Sequence, residues 1–271
     1  MNDGSLTSVT LAIFLLGVVI GSFLNVVVLR YNTGRSLAGR SGCFSCGKPL
    51  HWYELVPVLS YIFQWGKCRS CGSKISTQYP LVELGTGILF VLTVREVWPL
   101  FAGTDALMVP ILTLVFYLVV LSILVAITAY DIRHKIIPDG MVYAFIGLTF
   151  VRSLTSVIFV WWVGAAVGMA LFFAALWYFS AGKWMGLGDA KLALGLGLLL
   201  GPSAGLAALV LAFWIGAVFG ISILLLRRRY VTMKTEVPFA PFLILGAALA
   251  YFGHIDMMVV LSLFSFTDVL Y

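Results

Sequence analysis

The chain has 271 residues, 62% of them hydrophobic and only 10% charged, and its mean hydropathy of +1.07 exceeds anything a soluble globular domain requires. This excludes a water-soluble enzyme and predicts an all-α polytopic membrane protein. The formal net charge of +6 is distributed over several loops, a pattern that gives little support to nucleic-acid binding.

The first apolar run covers residues 6 to 29, with no Lys or Arg before Arg30. It therefore lacks the basic n-region of a cleavable signal peptide and reads as a retained first span. Ser22 and Asn25, three residues apart, share a helix face that should pack toward protein rather than lipid.

Residues 30 to 79 form the only sizeable hydrophilic segment and hold all four cysteines, as Cys43-Phe44-Ser45-Cys46 and Cys68-Arg69-Ser70-Cys71. Each pair precedes a glycine, Gly47 or Gly72, as in a pair of zinc knuckles. Four thiolates would close a tetrahedral site and leave no position for substrate, which predicts structural zinc; disulfides and a catalytic metal are the alternatives. A segment with so few large aliphatic residues needs such a staple to fold.

Further spans are expected near 80 to 97, 107 to 129, 141 to 158, 159 to 181, 190 to 203, 205 to 226 and 238 to 253, about eight transmembrane helices in all. Within 190 to 203, Gly195, Gly197 and Gly201 suit close helix packing. The expected domains are a first helix (1 to 29), a cytoplasmic zinc-binding domain (30 to 79), a membrane core (80 to 253) and an apolar C-terminal segment (254 to 271). The stretch Ile255 to Leu270 reads as interfacial or as a partial span.

Charge placement gives an independent topology. All Lys and Arg residues except Arg95 and Arg152 fall in loops on one side, and short cytoplasmic loops accumulate such residues. The cysteine segment should therefore face the cytoplasm and both termini the outside, with attraction to anionic lipid as a further use of the charge.

The same assignment puts Asp131 and Asp189 on the cytoplasmic face, each at the edge of a long apolar run. A carboxylate there is costly and marks a functional site. Two adjacent carboxyls hold one proton between them, as hydrolysis by paired acids requires; an ion or proton relay is the alternative. Gly186 and Gly188 would let backbone approach an extended substrate. Asp139, after Pro138, is expected to cap the next helix, Lys191 to face phospholipid or a neighbouring loop, and His51 and His134 to be interfacial side chains.

The segments GSFLNVVVLR (21 to 30), PVLSYIFQWGKCRSC (57 to 71), YPLVELGTG (79 to 87), YDIRHKIIPD (130 to 139), GLGDAKL (186 to 192) and VPFAPFL (237 to 243), with the two cysteine pairs, resemble the bacterial type IV prepilin peptidases, members of the GxGD aspartic proteases. The resemblance covers nearly the whole chain and implies a multi-pass enzyme of the bacterial inner membrane. Such an enzyme cleaves the basic leader of prepilins or pseudopilins at the cytoplasmic face and often methylates the new N-terminus with S-adenosylmethionine. It implies Asp131 and Asp189 as the catalytic pair, and Ser22, Asn25, Glu83 and Gly87 as residues toward the methyl donor, with interhelical hydrogen bonding the alternative for Ser22 and Asn25. Glu54, Glu83 and Glu236 are possible partners for leader lysines, or interfacial carboxylates. Gln78, Gly85, Ala240 and Lys67 depart from the family pattern without touching the aspartates or cysteines. The rivals are an ion- or proton-coupled transporter, although no internal repeat is visible, and a GxGD protease that cuts within its substrate's helix. A zinc-organised scaffold ranks last.

Overall fold

The structure is a computed structural model that describes residues 3–34, 36–103, 106–156, 158–226 and 237–262. The described elements are helical, and the chain divides into two compact units, Met1–Ala129 and Tyr130–Tyr271. Five helices among the described residues are long and apolar enough to cross a membrane, so the protein is a multi-pass membrane protein.

In the first unit, α1 (Asp3–Arg30) runs antiparallel to α3 (Gln78–Ala102), with the short α2 (Leu59–Phe63) between them in sequence and α4 (Met108–His134) following. Small residues set the α1/α3 seam. A Cβ on Gly17 would lie 2.8 Å from Gly87 Cα, and one on Gly21 would lie 2.7 Å from Glu83 Cα. One turn further along, Asn25 Nδ2 donates to the Tyr79 carbonyl at 3.2 Å. Each step of four residues along α1 is thus matched by a step of four back along α3. Without a hydrophobic drive between helices in lipid, this close backbone approach is what gives dispersion and interhelical hydrogen bonds their purchase.

In the second unit α7 (Leu187–Leu226) is the central element, packed by α5 (Asp139–Ser153), α6 (Phe159–Phe179), α8 (Ala240–Phe252) and α9 (Met257–Ser262). Forty helical residues would extend ~60 Å, twice the hydrocarbon thickness. The helix breaks at Gly201 (φ 75°, ψ −173°), a conformation that L side chains resist, and Pro202 restarts it where a missing N–H costs nothing. The halves fold back on one another, since a Cβ on Gly205 would lie 3.8 Å from Gly197 Cα. The close packing expected from Gly195, Gly197 and Gly201 is present: they face Phe145, the Ala166 backbone and the Trp162 ring respectively.

The expected count of eight spans is corrected to five long apolar helices among the described residues. The runs 190 to 203 and 205 to 226 are the two halves that meet near the Gly201 break, while α5, with 15 residues, and α8, with 13, fall short of the ~20 needed to cross alone. Hydropathy saw continuous apolar sequence at 141 to 158, but the helix there stops at Ser153. Of the C-terminal apolar stretch, α9 is described and residues 263 to 271 lie outside the described residues, as do Arg35, Lys234, Glu236 and the arginines at 227 to 229.

Candidate functional site

The polar groups that could carry function fall within each unit separately. In the second, Asp131 sits in the last turn of α4 and Asp189 in the first turn of α7, only 4% and 6% exposed. Asp189 Oδ2 accepts a hydrogen bond from the Gly186 N–H at 3.2 Å, while its own N–H donates to the Gly186 carbonyl at 3.2 Å. This reciprocal turn fixes the carboxyl at the positive end of α7. The Ala240 N–H, at the start of α8, faces the Asp131 carboxyl, and the two aspartates are near enough to interact electrostatically. Asp131 Oδ2 is buried with no hydrogen-bond partner. An orphaned buried acceptor costs ~1–3 kcal/mol, which makes it a place for a water or substrate donor to bond.

Two expectations around this pair are corrected. Gly188 meets the protein rather than leaving room for substrate, for a Cβ there would lie 2.9 Å from Ile137 Cβ. Asp139 occupies the first turn of α5 behind the capping Pro138 and makes no side-chain cap. It instead pairs with Lys191, whose Nζ lies 2.6 Å from Asp139 Oδ1 and 5.1 Å from the Tyr143 ring centroid. Lys191 therefore ties the start of α7 to the start of α5. His134 packs against the Tyr130 ring, and His51 stacks on Tyr53.

In the first unit the four cysteine Sγ atoms lie within 4.8 Å of one another. The two knuckles repeat one geometry: Cys43 N–H donates to the Lys48 carbonyl and Cys68 N–H to that of Ser73, while Gly47 and Gly72 return hydrogen bonds to the Cys43 and Cys68 carbonyls. Both glycines have φ 70°, which explains their place after each pair. A tetrahedral ion with metal–sulfur bonds of ~2.3 Å sets its sulfurs about 3.8 Å apart, and Cys43 Sγ is 3.8 Å from Cys71 Sγ. The donor set thus fits a metal ion. The Ser73 hydroxyl, beside both thiols, lowers Cys43 to about 6 and also lowers Cys71, with backbone N–H groups adding to the effect. Arg30, at the end of α1, organises the approach to the knuckles by donating to the carbonyls of Ser36, Leu37, Gly39 and Arg40.

The residues that the resemblance points toward a methyl donor share the α1/α3 seam. Glu83 is 5% exposed; its Oε2 accepts from the Val58 N–H at 2.7 Å, and Ser22 also hydrogen-bonds to it. Asn25, 2% exposed, is engaged by Tyr79 as described. Gly87 packs against Val18 and Phe14 with no space for a side chain. Glu54 Oε2 accepts from the His51 N–H at 2.9 Å. Sequence reasoning missed Gly17, although Gly17 and Gly21 have the spacing of a small-residue packing motif; it also missed the Lys191–Asp139 pair and the bond from Val58 to Glu83, which join residues far apart in sequence.

Comparison with known proteins gives consistent matches. Residues 15–97 match the bacterial peptidase A24 N-terminal domain, and residues 117–221 match the type IV leader peptidase family. A prepilin leader peptidase/N-methyltransferase of Bacillus subtilis is 33% identical over 243 residues, covering 88% of this chain and 92% of the relative. One of Klebsiella pneumoniae is 37% identical, covering 74% of this chain and 89% of the relative. One of Myxococcus xanthus is 39% identical over 80% of this chain, which spans only 64% of that longer relative. No solved structure matches the chain. With both parts matched in order and relatives covered over most of their length, the chain belongs to the type IV leader peptidase family of prepilin leader peptidases/N-methyltransferases.

Proposed function

We infer that the protein is a membrane aspartic endopeptidase that removes the basic leader from type IV prepilins or pseudopilins and N-methylates the exposed amine. The observation that carries the reading is the pair Asp131 and Asp189, both buried, near enough to interact electrostatically, and including one carboxyl oxygen without a partner. Two like charges so placed are relieved by sharing one proton. The ionised carboxylate takes a proton from water as the water oxygen adds to the scissile carbonyl carbon, and the protonated partner gives its proton to the carbonyl oxygen. Collapse of the resulting diol breaks the C–N bond, with a proton passing to the leaving nitrogen. A leader carboxyl and a new pilin amine result.

S-adenosylmethionine supplies a methyl group to that amine when bound. Among the residues on the α1/α3 seam, Ser22, Asn25 and Glu83 carry polar atoms to offer, whereas Gly87 serves helix packing. The metal implied by the four cysteines is zinc, held by Cys43, Cys46, Cys68 and Cys71. A complete thiolate set has no open position, so its role is to staple the knuckles. The Lys- and Arg-rich loops support a cytoplasmic orientation for the knuckle segment and, from the loops of its own unit, for the aspartates. In this reading residues 30 to 79 form the zinc domain and residues 80 to 253 the peptidase core.

The test is cleavage of a purified prepilin in detergent, with the cut site mapped by mass spectrometry. Cleavage just before the hydrophobic segment, in the absence of any ion gradient, is expected. A cut inside that segment, or a need for a gradient, would overturn the assignment.

A further inference from the structure

The knuckle segment has an apolar face turned outward. In α2, Leu59, Ile62 and Phe63 occupy positions i, i+3 and i+4, which share one side of a helix, and they are 52%, 59% and 72% exposed. The chain then reverses at Trp65 (φ 53°) and Gly66 (φ 64°), with Tyr61 packed under Gly66. A positive φ at a bulky residue is uncommon, and its result is an indole 88% exposed. A water-facing loop domain would place these side chains inside.

The depth of this face is fixed by the bond between Val58 and Glu83. Val58 immediately precedes α2, and its N–H is held at 2.7 Å by a carboxylate five residues into α3. At 1.5 Å per residue, that is ~7–8 Å along α3 from its first residue, within the helix long and apolar enough to cross the membrane. The start of α2 is therefore pinned beside the second turn of an apolar helix of membrane-spanning length. Cations stand around it: Lys67, Arg69 and Lys74 are exposed, and Arg69 lies 5.3 Å over the Tyr53 ring. Tyr53, Leu59, Phe63 and Arg69 line one groove, so the apolar face and a cation open to the same side.

We propose that Leu59, Ile62, Phe63 and Trp65 form an interfacial anchor that dips into the lipid leaflet, with Lys67, Arg69 and Lys74 on its anionic headgroups. Apolar side chains entering the outer ~5–10 Å of a leaflet beneath a basic rim are the pattern of interfacial helices, and tryptophan favours that level. The anchor holds the metal-binding knuckles close to the leaflet. A basic leader peptide is a poor occupant, since the same cations repel it. This surface does not depend on the peptidase reading, and its test does not measure cleavage.

A photo-crosslinking benzoylphenylalanine is placed at Phe63 or Trp65 in the full-length protein, in nanodiscs of phosphatidylcholine with or without phosphatidylglycerol. The same residue at Ser45, on the knuckle, serves as control. Lipid adducts several-fold above the Ser45 control are expected at both positions, and more from phosphatidylglycerol than its share of the lipid. Adducts at the control level, or adducts to a second copy of the chain or to added prepilin in place of lipid, would overturn the proposal. Bound metal and the melting temperature check that each variant is folded.

Discussion

Replacing Glu83 with Ala tests what this buried carboxylate does. Val58 has φ 61° and ψ −53°, and the Leu59 N–H reaches back to the Pro57 carbonyl at 2.6 Å. That is a γ-turn centred on a β-branched residue, a rare and strained arrangement that costs ~1–3 kcal/mol. The Val58 N–H bond to Glu83 offsets the strain, because a hydrogen bond to a charged acceptor is worth ~1.5–3 kcal/mol net. At 1.4 kcal/mol per factor of ten, Glu83→Ala should speed hydrogen exchange at the Val58 amide by ~10- to 100-fold. Glu83→Gln keeps an acceptor oxygen and loses only the charge, so an increase of about fivefold is expected. Hydrogen exchange read by mass spectrometry over residues 57 to 66 makes the measurement. If Val58 exchange in Glu83→Ala stays within about twofold of wild type, a change worth under ~0.5 kcal/mol, the latch is refuted. Loss of methylation with exchange unchanged would assign Glu83 to the amine or the methyl donor alone.

Other perturbations probe separate features. Gly197→Val should lower the melting temperature in detergent, because a Cβ there would lie 2.5 Å from Ala166 Cα and overpacking costs ~1–3 kcal/mol; an unchanged melting temperature would contradict the α6/α7 packing. Cys43→Ser or a strong chelator should remove bound metal and increase proteolysis between residues 31 and 77, measured by metal analysis and limited digestion, while the chemistry at the aspartates persists. Lys191→Ala and Asp139→Ala should each change stability little, and a double-mutant cycle should return a coupling of ~0.2–1 kcal/mol, because Asp139 is 63% exposed at its side chain. A coupling near zero would remove the pair from the account.

The parts of the site that were legible in the sequence carry their reason locally. Asp131 and Asp189 stand out because carboxylates are costly beside apolar runs, and Cys43, Cys46, Cys68 and Cys71 because a metal demands their spacing and the glycines after them. The span count failed for equally physical reasons. The split between 190 to 203 and 205 to 226 agrees with the break at Gly201, but hydropathy cannot see that α5 ends at Ser153 within a run that stays apolar beyond it. Asp139 looked like a cap because Pro138 precedes it, yet its partner, Lys191, lies 52 residues away, and only the folded chain brings the two together. Gly17 was readable from its spacing to Gly21, but its counterpart, Gly87, lies on a helix whose register no local pattern discloses. Val58 carries no signal, since a β-branched residue is a poor choice for the turn it occupies.

The central claim is that Asp131 and Asp189 together hydrolyse the leader bond. The most direct measurement is the rate of prepilin cleavage by purified Asp131→Asn and Asp189→Asn in detergent, each with bound metal and melting temperature verified. Paired acid and base groups contribute ~10²–10⁴-fold, so each substitution alone should reduce the rate at least ~100-fold while the fold is retained. A folded variant of either kind that keeps more than about a tenth of the wild-type rate, a barrier change under ~1.4 kcal/mol, would contradict the account.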